Sequence, residues 1–146
     1  MRVSCLAVTL AMVTASLLVT STSAAQAQNV PLLLFGGKND REFAGCLNCG
    51  KYDDESVCNK YGDYGSKYND KSIWNKYGTF GSKYNLASPW NAYGEGLAIV
   101  DSDGNFYGRL TLSNQNQSRL SLAKGLLSAY KSMQDLDALR DLLCES

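Results

Sequence analysis

KYDDESVCNKYGDYGS (51–66), KYNDKSIWNKYGTFGS (67–82) and KYNLASPWNAYGEG (83–96) write one unit of 16 residues three times, the last copy shortened. A period this regular outranks local propensity. Within each copy the phrase Ser-x-x-Asn-x-Tyr-Gly is constant. Ser56, Ser72 and Ser88 suit an N-cap, because a serine oxygen accepts an orphan N–H of a first helical turn. Val57, Ile73 and Pro89 follow, and proline favours the first helical position. Gly62, Gly78 and Gly94 come six residues after each serine, where a left-handed residue closes a helix. The phrase therefore predicts a short capped turn, α or 3₁₀, three times over; three plain β-turns are the alternative.

Cys58, Trp74 and Trp90 share the third position of that turn. Tryptophan in a small domain is largely buried, so Cys58 is expected to face inward as well. Three units barely reach the minimum for a self-supporting solenoid, so they are expected to drape over a core built by the flanks.

Ahead of the repeats, residues 1–27 read as an export signal: Arg2, an apolar run over 6–19, and Ala25-Gln26-Ala27 as a small-x-small cleavage site. Cys5 sits too early for lipid attachment. Cleavage leaves 28–146 as a single exported domain, with no membrane insertion afterwards. Basic and acidic residues balance, 14 against 14, and no basic stripe is present. Nucleic acid is therefore a poor partner.

Segments 30–49 and 96–112 share one grammar, an apolar run, a polar turn and a second alternating run. Phe43-Ala44-Gly45-Cys46-Leu47-Asn48 overlays Phe106-Tyr107-Gly108-Arg109-Leu110-Thr111, which predicts two related β-hairpins. Gly45 and Gly108 mark a bulge or a close backbone approach in each second strand. Together the hairpins make a small antiparallel sheet. From 117 to 144, Leu122, Leu126, Tyr130, Met133, Leu136, Leu139 and Leu143 form the stripe of an amphipathic helix. Ser132-Met133-Gln134-Asp135 marks a break near Lys131 as an alternative, and the sheet face is its expected partner. The fold class is α+β.

The phrase Tyr-[Asp/Asn]-x-x-Ser-Ile-x-Asn-x-Tyr-Gly-x-Tyr-Gly-Ser, clearest over 68–82, resembles a group of uncharacterised exported bacterial proteins. They carry it in tandem, often beside an aromatic-x-Gly-x-Leu strand like 106–110. Here lysine stands at 60, 67, 76 and 83, where proline is common in that group, which implies less rigid turns. The resemblance implies organisation and export to the periplasm or the medium, and no activity.

The chain contains no histidine. Ser-His-Asp and Cys-His nucleophile pairs, His-ligated zinc and the easiest neutral-pH base are therefore excluded. Cys46, Cys49, Cys58 and Cys144 form an even set in an exported chain, which predicts two disulfides. Of the three connectivities, Cys144 with Cys46 or Cys49, and Cys58 with the other, is preferred. A cysteine metal or redox module is an alternative, weakened by the missing second close pair. Asp101-Ser102-Asp103-Gly104-Asn105 begins like a calcium loop, but Leu112 stands where the bidentate glutamate belongs, and a hairpin turn explains the same residues. Asp53, Asp54, Glu55, Asp63, Asp70 and Glu95 are the only carboxylates for a hydrolase, and they read as solvated charge. No cofactor or metal is expected.

The aromatic rings of the repeats are expected mainly to pack beneath the loops. A ligand platform is the alternative, with Tyr52, Tyr68 and Tyr84 beside Lys51, Lys67 and Lys83 as its residues. The expected role is a non-enzymatic binding or structural factor of the cell envelope or extracellular space. Its partners would be an envelope polysaccharide or an envelope protein; a carboxylate hydrolase is the competing class.

Overall fold

The computed structural model describes residues 30–146; the expected export segment and its cleavage site lie outside them. The fold is α+β. β1 (Leu33–Gly36) and β2 (Glu42–Cys46) form the first hairpin, and β3 (Leu97–Val100) and β4 (Phe106–Leu110) the second. β1 pairs antiparallel with β3, which joins the hairpins into one sheet of order β2-β1-β3-β4. Arg109 of β4 reaches across to the first hairpin's turn and grips both Asp40 carboxylate oxygens at 2.8 Å.

Both expected bulges are present. The register slips between Leu34 and Phe35 opposite β2, and between Ala98 and Val100 opposite β4. Gly45 (φ 107°) and Gly108 (φ 88°) hold the positive angles that a bulge needs and a side chain resists.

The repeats contain no helix. Each unit is an unbroken run of turns, closed by backbone bonds such as Asn69 N–H to Ser66, Ser72 N–H to Asn69, Asn75 N–H to Ser72 and Gly78 N–H to Asn75. At each corner the polar side chain accepts the N–H two residues on: Tyr68 to Ser66, Lys71 to Asn69, Trp74 to Ser72, Tyr77 to Asn75, at 3.0–3.3 Å. These are the local bonds by which serine and asparagine compete with a helix. The serine half of the capped-turn expectation therefore stands as a side-chain turn. The glycine half does not, since Gly62, Gly78 and Gly94 are absent from the positive-φ residues. Space is the constraint instead. A Cβ at Gly78 would lie 2.7 Å from the Asp70 carbonyl oxygen, and one at Gly81 would overlap the Asn75 carbonyl.

The Ser-[Val/Ile/Pro]-[Cys/Trp] run of each unit faces the core, with Ser72, Ile73 and Trp74 all buried. The indole of Trp74 donates to the Val57 carbonyl at 2.6 Å, and that of Trp90 to the Ile73 carbonyl at 2.7 Å. The two rings stack at 6.1 Å, and Tyr130 continues the pile on Trp90 at 4.7 Å. The units thus form a stack of their own that merges into one apolar core with the sheet.

The C-terminal segment is two helices, α1 (Ser121–Met133) and α2 (Leu136–Cys144). Gln134 turns left-handed (φ 52°), and Asp135 caps α2 by accepting from Asp137 and Ala138 N–H. The break therefore falls three residues after Lys131, and Asp135, not Ser132, is the cap. Met133, counted in the apolar stripe, is exposed because its helix ends there. The helices share the sheet's apolar core and take the repeat stack as a further partner. Tyr130 sits on Trp90, Arg140 donates to the Cys58 and Gly65 carbonyls, and Cys144 bonds Cys58. The Trp side of the repeat stack thus adds to the apolar surface that the helices cover.

The disulfides are Cys46–Cys49 and Cys58–Cys144, with Cα separations of 5.5 and 5.4 Å. Two bridges were expected; the preferred pairing was not this one. The chain enters α1 beside β4, the end of α1 packs Tyr130 on the third unit, and α2 runs back to the first, which delivers Cys144 to Cys58 and leaves Cys46 to its neighbour in the chain.

Candidate functional site: the tyrosine–lysine face

Six tyrosines of the repeats point away from the core. Tyr52, Tyr68 and Tyr84 follow the first corner of each unit, Tyr61, Tyr77 and Tyr93 the fourth, and all six are 83–92% exposed. The packing expectation is thus overturned for these rings. It holds for Trp74 and Trp90, and Cys58 shares their inward position as expected. The cause is local. The Ser-x-x run of each unit turns inward, and the two tyrosine-bearing stretches on either side of it face outward.

Each of five tyrosines carries its own lysine. The ammonium nitrogens of Lys51, Lys60, Lys67, Lys76 and Lys83 lie 5.1–5.7 Å from the ring centroids of Tyr52, Tyr61, Tyr68, Tyr77 and Tyr84. That is cation–π range. In the third unit Ala92 replaces the lysine, and Tyr93 stands alone. Lys51 also lies 4.0 Å from Glu145, and Lys67 3.3 Å from Asp137, both exposed pairs of small energetic weight.

The face is not flat. Between the second and third units and the α1–α2 elbow runs an open groove of about 1090 Å³. Tyr68, Tyr77 and Tyr84 line it from the repeats, and Tyr130, Gln134 and Asp135 from the helices, with Trp74 also on the lining. Burial pushes the Tyr130 hydroxyl pKa above its ordinary value, with the nearby Lys83 charge opposing. Tyr52, Tyr61 and Tyr93 lie outside this groove. A smaller depression of about 280 Å³ holds Asp70, Thr79 and the other flanks of Tyr77 and Tyr84.

The remaining chemical groups are engaged in structure. Asp101 is the hub of the second hairpin turn: its oxygens accept from Asp103 and Asn105 N–H, the Asn105 amide and the Tyr107 hydroxyl, at 2.8–2.9 Å. The Asn105 amide bond is the largest cause holding its pKa down at about 2, and the same carboxylate raises that of Tyr107. This is the hairpin-turn reading of 101–105. Asp53 and Asp70 likewise accept turn hydrogen bonds, from Glu55 N–H and from Thr79. Asp63 accepts from the Asn69 amide. Among the described residues no group of three or more Cys, Asp or Glu is arranged to hold a metal ion, and no helix is long and apolar enough to cross a membrane.

Sequence reading found the first tyrosine row, Tyr52, Tyr68 and Tyr84, with Lys51, Lys67 and Lys83. It missed the second row, Tyr61, Tyr77 and Tyr93 with Lys60 and Lys76. The signal was present: tyrosine occurs twice per unit, nine residues apart, directly after a turn-forming corner each time and preceded by lysine in five of the six cases. Compared with known proteins, the chain matches no family model, no curated protein and no solved structure.

Proposed function

We propose that the protein is an exported, disulfide-stabilised, non-enzymatic binding protein, and that its tyrosine–lysine face holds a polysaccharide of the cell envelope or extracellular space. One observation carries the reading: a rigid stack presents six tyrosine rings to solvent while burying the tryptophans of the same units. Isolated exposed apolar residues need no explanation, but rows of large rings at a fixed spacing are the mark of an interaction surface. Tyrosine suits sugars. Its face stacks on the apolar side of a pyranose, its hydroxyl meets the sugar's hydroxyls, and it loses little entropy on binding. In five of the six, a lysine ammonium lies over one face of the ring and leaves the opposite face free. Two disulfides in a small domain support an oxidising compartment, in keeping with the signal-like N-terminus.

The test is sedimentation of the protein with peptidoglycan, teichoic-type polymer and capsular glycan. It is repeated with Tyr52, Tyr61, Tyr68, Tyr77, Tyr84 and Tyr93 changed to alanine. None of these rings is in the core, so the variant is expected to keep its circular dichroism and lose its binding. At about 1 kcal/mol per stacked ring, loss of three or more contacts amounts to at least about a hundredfold in affinity. Binding that survives the sixfold change, or no binding to any polymer, refutes the reading.

A further inference from the structure

The six rings are not equivalent, and the difference identifies a site and the charge of its ligand. Tyr68, Tyr77 and Tyr84 share the groove against the α1–α2 elbow; the other three do not. Three lysines enter the same groove. Lys67 is paired with Asp137 at 3.3 Å, whereas Lys76 and Lys83 have no ion-pair partner among the described residues. With Asp135 and Asp137 also on the lining, the groove keeps an excess of one positive charge, carried on the lysine side beside the rings, and Lys83 is close enough to oppose the burial-driven rise at Tyr130.

We propose that this groove is the binding site for a carboxylate-bearing polysaccharide, with successive sugar rings on Tyr68, Tyr77 and Tyr84 and carboxylates at Lys76 and Lys83. The inference rests on the polysaccharide reading above and adds where the chain lies and what charge it carries. Three features select it. The lining offers hydrogen-bonding side chains, Gln134 and the Ser82 hydroxyl as a donor, beside the rings, as hydroxyl-rich chains require. Tyr68 and Tyr84 hold equivalent positions in successive units and Tyr77 comes between them, so the platforms recur and suit a ligand that itself repeats a flat unit. The cations are single lysine ammoniums, with no arginine on the groove wall. An isolated point charge matches one carboxylate per step, whereas phosphate recognition commonly uses the bidentate arginine fork.

Asp135 and Asp137 stand at the elbow end of the groove and limit how far an anionic chain extends that way. Asp135 also caps α2 and so is held in place. The polyanion is thus expected to lie along the repeat wall, on the lysine side.

The experiment is calorimetric titration of the full mature protein with galacturonate oligosaccharides and with neutral cello-oligosaccharides of equal length. It is repeated for Lys76→Gln/Lys83→Gln, for Tyr68→Ala/Tyr77→Ala/Tyr84→Ala and for Tyr52→Ala/Tyr61→Ala/Tyr93→Ala. Expected is binding of the acidic oligomer, weakened about tenfold by the lysine change and by raised salt. The groove tyrosine change abolishes it, and the outer tyrosine change leaves it intact. Equal affinity for the neutral oligomer, or none of the effect from the lysine change, overturns the acidic ligand while leaving the tyrosine platform standing. Dependence on the outer tyrosines alone overturns the groove. Indifference to all six tyrosines sinks the polysaccharide reading itself.

Discussion

Removing the Cys58–Cys144 bridge should cost far more than removing Cys46–Cys49, and the sequence separations give the sizes. A cross-link restricts the unfolded chain more as the loop it closes lengthens. Cys58–Cys144 closes 86 residues and Cys46–Cys49 only three. In the chain-entropy account those loops correspond to about 4.6 and about 1.6 kcal/mol at 25 °C. The variants are Cys58→Ala/Cys144→Ala and Cys46→Ala/Cys49→Ala, each compared with wild type by urea unfolding. A gap of about 3 kcal/mol between them moves the midpoint by about 1–3 M urea at usual slopes. Cys58→Ala/Cys144→Ala also frees α2 from the first unit, so its amides should exchange faster than those of α1. Peptide mapping without reductant checks the pairing first. An equal or larger loss for Cys46→Ala/Cys49→Ala refutes the reasoning, because the loop lengths then do not govern stability.

Two further outcomes follow from local geometry. Gly81→Ala should destabilise by more than about 1 kcal/mol, since its Cβ would overlap the Asn75 carbonyl, a backbone atom that cannot swing aside. Gly50→Ala, with nothing within 4 Å of its Cβ, is the control and should be near neutral; equal melting temperatures for the two variants would contradict the close-approach account. Asp101 has its pKa lowered in the fold to about 2 from an ordinary 3.8. Its contribution is therefore complete above 3.8 and disappears as pH falls through about 2, because the unfolded chain takes up the proton first. Asp101→Asn should be less stable at neutral pH and show a shallower loss between pH 4 and 2 than wild type; parallel curves would exclude Asp101 as a source of the acid sensitivity.

Much of the sheet was legible because its signals are local. Phe43–Cys46 and Phe106–Leu110 alternate, their glycines sit where a bulge demands positive φ, and Asp101 with Gly104 spells a hairpin turn. The repeat was legible as a period and misread as a conformation. Its inner spacing is three: Ser66, Asn69, Ser72, Asn75 and Gly78, then Ser82, Asn85, Ser88, Asn91 and Gly94. The first unit follows with Gly50, Asp53, Ser56, Asn59 and Gly62. A three-residue recurrence of serine and asparagine is the pattern of successive side-chain turns, whereas a single serine followed six residues later by glycine also fits a capped helix. Only the competition among all the corners decides between them. The disulfide pairing and the helices' docking were not legible, since both depend on where the stack turns its tryptophan side. The groove was hidden for the same reason: its two walls are 46 or more residues apart, Tyr84 on one and Tyr130 on the other.

The stack also explains why there are three units and why the first has cysteine where the others have tryptophan. Val57, Ile73 and Pro89 present equivalent carbonyls. The first two accept the indole of the following unit, and the third accepts the backbone N–H of Leu112, just beyond β4. A carbonyl buried without such a donor would be costly, so each new unit must bring a donor for the unit before it. The first unit has no predecessor and needs no indole. Position 58 is free to hold the bridge to Cys144, and the unit docks instead on β2, through Cys46 N–H to Glu55 and Val57 N–H to Cys46. The array thus begins at one edge of the sheet and ends beside the other. A fourth unit, bringing its own indole donor, would compete with Leu112 for the Pro89 carbonyl. The Leu112 bond therefore closes the array at the third unit, and with it sets the number of tyrosine pairs that a ligand chain lying along the proposed face can meet.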